Sequence, residues 1–581
     1  MFALMGSTMD FDLIIRNGNI ADGSGEEIFE GDIAVSSGKI VAVGKVSGRA
    51  QQEVEAKGML VTPGFVDIHT HYDGQATWEE RLVPSSWHGV TTTAFGNCGV
   101  GFAPVRAKDR QSLIDLMEGV EEIPGSALHE GLEWDWESFP DYLNALDRRK
   151  HDIDLCAQLP HAALRVFVMG ERALNLEDAN EEDIQAMRLL TTEAMKAGGF
   201  GFTTSRSLNH MTVKGDPTPT LRARENELSG IALGLRDAGS GVMQMIGEFS
   251  ADERHEEIEM WQRIMRNSGR PLSITVTQRH RDPKGWKDIM AGIDEACGQG
   301  LEMRAQIAPR SIGAIYGLSL SQNAFYLHPS YKAIADKTLE EKVSIMRNPE
   351  FRKKLLTEKP EHKSERLIQR TANFQFTFRL GNPPNYEPPE KDSVLNMSKR
   401  MGRDPLDLMY DLLLEDNGSA FLFSPNTNYA DYNLDACHEM IKHPRSCLGL
   451  SDGGAHVGHI SDSGYPTFVL THWGRDRKNG RIDLAWLVRW ITSATAEAIG
   501  LHDRGRIAIG YKADINIIDY DKLGQSYPYL TYDLPKGGRR LMQKGQGYKA
   551  TYLNGMATYI DGESTGLLPG KLVRGPQNCP A

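Results

Sequence analysis

The sequence lacks any long apolar run, and this absence excludes one large class of proteins. None of its 581 residues lies in a stretch of about 18 or more consecutive apolar residues, so we expect no transmembrane helix. The N-terminal segment MFALMGSTMDFDL has no basic part and only a short apolar run, which argues against a signal peptide. These features predict a cytoplasmic protein without a membrane partner.

Cysteine is scarce and scattered along the chain. The six cysteines form no Cys-x-x-Cys pair and no closely spaced framework. This pattern argues against a small scaffold held by disulfides and is typical of proteins from a reducing compartment.

Positive charge is in deficit. The 65 Lys and Arg residues face 78 Asp and Glu residues, which gives a formal net charge of −13 and an isoelectric point near 5.8. The densest basic run, Arg352-Lys353-Lys354, is typical of a solvated helix face. We therefore expect neither nucleic acid nor an anionic membrane as a partner. A homo-oligomer remains an open alternative to a monomer.

Short apolar segments that favour strands alternate with helix-like stretches through the middle of the chain. Such alternation implies parallel strands, and eight of them imply a (β/α)8 TIM-like barrel. The eight predicted strands are residues 65–69, 89–97, 152–159, 198–205, 241–249, 272–278, 302–309 and 447–454.

Strand-like pieces at both ends of the chain predict a second, smaller unit. Asn17-Gly18, Ser37-Gly38 and Asn554-Gly555 have the composition of hairpin turns. We therefore expect residues 1–62 and 501–581 to form one β-sandwich domain around a barrel of residues 63–500. Within the barrel, residues 310–446 are helical and charged, with no clear strand before AFLFSPNTN. We expect this insertion to cover the barrel mouth as a lid.

The segment PGFVDIHTHYDG carries the strongest chemical signal. A buried strand ends there in His69 and His71, and residues two apart on a strand point to the same face. Both imidazoles can then reach one metal ion. The alternative is a pair of surface histidines at the entrance of a loop.

Other strand ends supply further reactive groups, because active sites of such barrels lie at the carboxyl ends of the strands. Cys98 follows the second strand, and Asp452 follows the last. Imidazole, thiolate and carboxylate all suit zinc, and a hydrolytic zinc site keeps an open position for water. A carboxylate beside that water can take its proton and pass it to a leaving amine, and Asp452 is placed for this task.

Over most of its length the chain resembles the N-acyl-D-amino-acid deacylases (D-aminoacylases) of the amidohydrolase superfamily. The segments that carry the resemblance are PGFVDIHTHYD, GVTTTAFGNCGVGFAP, HAALRVFVMG, GGFGFTTS, SDGGAH and RGRIAIGYKADINIID. The resemblance implies one metal position formed by His69, His71 and Asp452, with Asp452 also the acid–base group. It further implies a second metal position, in which Cys98 joins histidines from the fifth and sixth strands.

The chain departs from the family pattern at those two strands. Ile246 and Val276 stand where the family has its histidines, and Gln278 aligns near the family's carboxylate-binding lysine. The family's arginine after the SDG turn has no visible counterpart. We therefore predict one tightly bound divalent ion, zinc by ligand type, rather than two, and a weaker clamp for a substrate carboxylate.

Several polar residues near the strand ends are predicted to contact substrate. Glu248 is also open to metal ligation or to a structural ion pair with an arginine, and His161 and His456 are open to roles as satisfied core histidines. The predicted substrate-binding set is His161, Arg165, Glu248, Gln278, Gln306, Arg310 and His456.

The predicted function is metal-dependent hydrolysis of a linear amide bond in a small-molecule substrate, closest to N-acyl-D-amino-acid deacylation, with metal-activated water as nucleophile. One alternative is hydrolysis of neutral, bulky or cyclic amides on the same scaffold. Another is a catalytically silent binding protein, against which the joint presence of His69, His71 and Asp452 argues.

Overall fold

The computed structural model describes residues 9–580. The predicted absence of a signal peptide concerns a segment that lies mostly outside those residues. Within the described residues, no helix has both the length and the apolar composition needed to cross a membrane.

Strands from the two ends of the chain form one nine-stranded sheet. The two halves meet where Leu60–Pro63 pairs antiparallel with Ile515–Ile518. Alternating buried positions of both halves, such as Ile15, Val61 and Ile517, share one apolar cluster, which explains why the termini associate. The nine strands are Phe11–Ile20, Phe29–Ser36, Lys39–Gly44, Ala50–Glu55, Leu60–Pro63, Ile515–Ile518, Tyr548–Leu553, Met556–Ile560 and Glu563–Ser564.

Two of the three predicted hairpin turns are present in the structure, and the third is not. Ser37-Gly38 and Asn554-Gly555 take left-handed backbone angles and each join two adjacent antiparallel strands, as predicted. The hairpin turn predicted at Asn17-Gly18 is wrong, because Phe11–Ile20 is one continuous strand. The register shifts there between Ile15 and Gly18, so the dipeptide forms a β-bulge, which also uses a left-handed residue.

Parallel strands form the middle of the molecule. Three of them pair in one sheet and six in another, and the third predicted strand contributes to both in two pieces separated by Gln158. A parallel bridge between Thr70 and Gly453 links the end of the first strand to the end of the last. The strands in order are Phe65–Asp67, Val90–Phe95, Asp154–Ala157 with Leu159–Pro160, Gly201–Arg206, Val242–Gly247, Leu272–Val276, Met303–Ile307 and Ser446–Leu448. We number them first to eighth below.

Amphipathic helices follow most of these strands and bury one face on the sheet. The helix Glu181–Lys196 begins with a capping box in which Asn180 and Asp183 satisfy each other's backbone amides. The helices outside the insertion are Arg110–Glu121, Gly125–Gly131, Phe139–Asp147, His161–Met169, Glu171–Leu174, Glu181–Lys196, Glu225–Ala238, Arg254–Ser268, Gly285–Gly298, Tyr465–Phe468, Leu484–Trp490 and Ser493–Ala498.

The insertion contains more strand than the sequence indicates. Ile312–Tyr316 and Phe378–Arg379 both pair antiparallel with Leu422–Thr427, so the expectation of no strand before residue 420 is wrong. A separate apolar cluster packs this sheet against the helices of the insertion. These helices are Pro329–Lys332, Leu339–Met346, Pro349–Thr357, Glu365–Thr371, Val394–Met401, Pro405–Leu414 and Asp435–Ile441.

Candidate active site

Backbone hydrogen bonds hold the His-x-His segment against the turn that follows the eighth strand. The Asp452 amide donates to the His69 carbonyl over 3.2 Å, and the His71 amide donates to the Gly453 carbonyl over 2.7 Å. Thr70 donates in the same way to Ala94 of the second strand. His69 and His71 thus continue the strand direction, and Asp452 is brought beside them.

A tight turn after the second strand delivers Cys98. Gly96 has a φ of +86°, and a Cβ there would lie 2.3 Å from the Gln158 carbonyl oxygen. Gly99, with a φ of +70°, approaches Thr204 of the fourth strand so closely that a Cβ would lie 3.0 Å from its Cα. The two glycines of GNCG therefore let the chain fold inward and point the thiol at the histidines.

Four side chains converge at this point. The ligand atoms of His69, His71 and Cys98 all lie within 4.8 Å of one another, the one such group in residues 9–580. His69 Nε2 lies 3.4 Å from Cys98 Sγ and 3.4 Å from Asp452 Oδ1, and His71 Nε2 lies 3.7 Å from the same carboxylate oxygen. The histidine rings and the thiol are buried. The alternative of two surface histidines is therefore wrong.

The pKa values of the cluster are shifted in different directions. Burial lowers the pKa of His69 to about 4, so this imidazole is neutral at physiological pH, as a ligand must be. Burial opposes protonation of His71, but the charges of Glu121 and Asp452 outweigh it and raise the pKa of His71, so a bound metal ion would have to displace its proton. Burial would raise the pKa of Asp452, but the adjacent imidazoles of His71 and His69 outweigh it and hold that pKa below its usual range. Burial raises the pKa of the Cys98 thiol, an effect that a bound cation would reverse.

Gln306 orients His69 from the far side. Its Oε1 lies 2.6 Å from His69 Nδ1, which makes Nδ1 the protonated nitrogen and leaves the Nε2 lone pair facing Cys98 and Asp452. Gln306 belongs to the seventh strand and was predicted as a substrate contact. In the structure its described side-chain contact is with the histidine.

A second group of histidines and carboxylates adjoins the cluster. Glu121 Oε1 lies 3.3 Å from His71 Nδ1, and Glu121 Oε2 lies 3.6 Å from His456 Nε2. Glu122 Oε2 lies 3.5 Å from His456 Nδ1 and 2.7 Å from His459 Nδ1. Burial opposes protonation of His456, but Glu122 and Glu121 raise its pKa to about 9.

Sequence reasoning placed His456 near the site but missed Glu121, Glu122 and His459. The two glutamates end a helix about twenty residues beyond the GNCG turn, where no motif marks them. His210, a half-buried loop residue, is also close to this group. It shares a 2.8 Å hydrogen bond with Ser205 Oγ, and burial together with nearby His456 and His71 lowers its pKa to about 3.

Four residues in and beside this cluster have unusual backbone conformations. Cys98, Glu122, Asp452 and His456 all have φ between +48° and +55°, a region that non-glycine residues enter at an energetic cost. Such strain typically collects at functional sites, where the surrounding structure enforces it.

The structure does not bring His161 and Arg165 to the cluster. His161 Nε2 and Arg165 Nε lie 2.9 and 2.8 Å from the same oxygen of Glu227, and His161 Nδ1 bonds Thr204. Arg165 also donates to three backbone carbonyls. These contacts are those of a buried structural ion pair, the alternative already weighed for His161.

Glu248 also has structural partners. Its carboxylate accepts hydrogen bonds from Ser207 Oγ and the Leu208 amide, and Arg279 Nη1 lies 3.2 Å from its second oxygen. This is the ion pair with a neighbouring arginine that the sequence left open. Ile246 packs against the main core and Val276 is fully buried within it, so neither strand offers a ligand at those positions.

Gln278 and Arg310, both predicted to contact substrate, form side-chain contacts with other residues of the chain. Gln278 Nε2 donates to Asp431 Oδ2 over 2.7 Å, and Gln278 Oε1 accepts from the Ala430 amide. Arg310, 2% exposed, donates to Asp462 and stacks on the Tyr386 ring at 3.9 Å. Its Nη2 is therefore paired with a carboxylate of this same chain, whereas its Nε and Nη1 have no hydrogen-bond partner among the described residues.

Comparison with known proteins identifies the class of protein that this fold and site define. Residues 52–555 match the Amidohydrolase family, and the chain belongs to that family. It is a hydrolase acting on carbon–nitrogen bonds other than peptide bonds, as predicted, and a catalytically silent binding protein is not favoured.

Particular relatives are N-acyl-D-amino-acid deacylases, which confirms the predicted resemblance. The chain is 25% identical to the N-acyl-D-aspartate deacylase of Alcaligenes xylosoxydans xylosoxydans over 557 residues, which cover 96% of this chain and 93% of that protein. A solved D-aminoacylase with a binuclear metal centre superposes with a TM-score of 0.64 at 22% identity, covering 97% and 100% of the two chains. A zinc complex of N-acyl-D-glutamate deacylase from Bordetella bronchiseptica gives 0.62 at 21%, with the same coverage. At these identities the solved structures show a shared fold.

Proposed function

We propose that this protein is a metal-dependent hydrolase of linear amides, closest in activity to N-acyl-D-amino-acid deacylation. The observation that carries the proposal is the buried convergence of His69, His71 and Cys98, with the ionised Asp452 beside them. The strand order and the Thr70–Gly453 bridge support a closed (β/α)8 barrel with this cluster at the carboxyl ends of its strands.

The donor set fits a divalent ion such as zinc. His69, His71, Asp452 and Cys98 would hold it, since imidazole, carboxylate and thiolate are all zinc ligands. When bound, the ion supplies a Lewis acid that polarises the amide carbonyl and lowers the pKa of water.

Asp452 is the group that moves the proton. Its carboxylate is ionised and lies at the edge of the cluster, with 14% of the side chain exposed. As water oxygen adds to the carbonyl carbon, Asp452 takes the water proton. It then returns that proton to the nitrogen as the C–N bond breaks, giving a carboxylic acid and an amine.

One tightly held ion is proposed rather than two. The two strand positions that would complete a second site carry the apolar side chains of Ile246 and Val276, and the nearby Glu248 is bonded to Ser207 and Arg279. Cys98 therefore lacks the histidine partners that the family pattern would give it.

The amine half of the substrate is proposed to need no carboxylate. Gln278 stands near the family's lysine position and is bonded to the insertion, while Arg310 is paired with Asp462. Carboxylates of Glu121, Glu122 and Asp452 surround His71 and His456 beside the proposed metal site. A buried substrate carboxylate without a free cation is costly, so neutral amine halves are favoured.

The insertion is proposed to act as a lid. Gln322 of the insertion donates to Glu122 Oε1 over 3.1 Å, and Ser321 Oγ lies 3.4 Å from His459 Nδ1. Contacts on this side of the site support a cover that excludes water. The β domain of residues 1–62 and 501–581 is proposed to support the barrel of residues 63–500 at the amino-terminal end of its first strand, the strand that leads to His69 and His71.

The test combines metal analysis with a hydrolysis screen. Purified protein is dialysed and its zinc content measured, and amine release is followed from matched N-acyl-D-amino acids, N-acyl-L-amino acids and neutral amides. We expect about one retained equivalent and hydrolysis of at least one amide class. Two retained equivalents would contradict the single-ion proposal, and a metal-loaded protein that hydrolyses no amide would contradict the function.

A further inference from the structure

Glu121 occupies a position that is unfavourable for a carboxylate. It is the last residue of the helix Arg110–Glu121, where the helix dipole places partial negative charge, and it is 1% exposed. Burying a carboxylate there costs free energy unless a positively charged or hydrogen-bonding group compensates. Its neighbour Glu122 adds a second negative charge and takes a left-handed backbone conformation.

The groups that face Glu121 are imidazoles. Glu121 Oε1 lies 3.3 Å from His71 Nδ1, and neither atom has an aligned hydrogen-bond partner in the described residues. The other oxygen lies 3.6 Å from His456 Nε2, and the Glu121 carbonyl accepts a hydrogen bond from the His456 amide. Two buried polar atoms, one on Glu121 and one on His71, are therefore left facing each other.

We propose that Glu121 is a positioning residue for His71. Its carboxylate accepts the Nδ1 proton of His71, which keeps the Nε2 lone pair directed towards Asp452, as Gln306 does for His69 on the opposite side. His456 holds the second oxygen of Glu121 and thereby fixes the direction of the carboxylate. This inference rests on the proposed metal site.

The test is the affinity of the protein for zinc, measured by competition with a chelating indicator, in wild type, Glu121→Ala, Glu121→Gln and Glu118→Ala. Glu118 is the matched control, because it lies one turn earlier on the same helix and bonds the Gly125 amide rather than a histidine. We expect Glu121→Ala to bind zinc about 10- to 100-fold more weakly. Glu121→Gln keeps an oxygen acceptor but loses the charge, so its zinc affinity should lie between those of wild type and Glu121→Ala.

A spectroscopic measurement separates positioning from a purely structural role. In cobalt-substituted protein the visible absorption band should shift in Glu121→Ala and remain unchanged in Glu118→Ala. Zinc affinity within threefold of wild type, with an unchanged cobalt spectrum, would overturn the inference and leave the metal site standing. If Glu121→Ala does not fold, as judged by circular dichroism, the same two measurements are made on Glu121→Gln. Zinc affinity within threefold of wild type, with an unchanged cobalt spectrum, would then overturn the inference. A wild-type protein that binds no zinc would overturn both proposals.

Discussion

Replacing Asp452 by Asn isolates the proton-transfer step. Asn has nearly the shape of Asp and retains one oxygen, but it has no ionisable group. Asp452 has a φ of +49°, and Asn is among the few residues that tolerate this left-handed conformation. The substitution therefore removes the base without the added backbone strain that Ala would bring.

The expected loss follows from the role of the carboxylate. Asp452 Oδ1 lies 3.4 Å from His69 Nε2 and 3.7 Å from His71 Nε2, and the group is ionised at neutral pH. Loss of general acid–base catalysis costs roughly 10²- to 10⁴-fold in rate, or about 2.7 to 5.5 kcal/mol of barrier. Weakened metal binding would increase the loss, so activity is expressed per bound ion.

The assay measures amine release at saturating substrate together with zinc content. Asp416→Asn is the matched control, since Asp416 also has a positive φ, of +51°, but lies exposed in the insertion. We expect this control to retain wild-type turnover. If Asp452→Asn kept more than about half of wild-type turnover at full zinc occupancy, Asp452 would have no part in proton transfer.

Three further outcomes are expected. Gln306→Leu should weaken zinc binding by about 10- to 100-fold, because His69 loses the acceptor of its Nδ1 proton. The control Gln244→Leu, which replaces a buried strand glutamine bonded to Thr275, should bind zinc like wild type. Equal zinc affinities of Gln306→Leu and wild type, measured by chelator competition, would refute the tautomer argument. The ratio of kcat/KM for an N-acyl-D-amino acid to that for its carboxamide should stay below about 100, or 2.7 kcal/mol, and a larger ratio abolished by Arg310→Met would show that Arg310 clamps the carboxylate. The pKa of Glu387 is held at about 2, since His472 and Arg477 outweigh its burial, which corresponds to about 3 kcal/mol of stability present above pH 4.5 and lost as pH falls towards 2. The melting temperature of Glu387→Gln should therefore lie below that of wild type at pH 6, with the difference reduced by about half at pH 3 and nearly closed at pH 2. A constant difference would contradict the sign of this shift.

Local patterns were sufficient for the regular elements of the middle of the chain. Each of the eight predicted parallel strands overlaps an observed one, and helices such as Glu181–Lys196 lie between the strands, where the sequence has helix-like stretches. Apolar runs and helical periodicity can be recognised within a short stretch of sequence, without knowing which other segments that stretch will contact.

Pairings between distant segments were less visible. Asn17-Gly18 has the composition of a hairpin turn, but a long partner strand holds the backbone extended on both sides and turns the dipeptide into a bulge. Ile312–Tyr316 pairs with residues more than a hundred positions later in the chain. No local window carries that information, so the strand was missed.

The candidate site, too, could be predicted only in part from the sequence. The sequence by itself determined that His69 and His71 share a face and that Cys98 and Asp452 follow strand ends, because spacing and strand direction fix these features. Only the tertiary structure decided that Glu121 and His456 stand behind His71, that Gln306 orients His69, and that Asp462 pairs with Arg310. Those contacts join residues that are far apart in the chain, and they depend on where helix ends and loops pack, which is set by the whole fold rather than by any single segment.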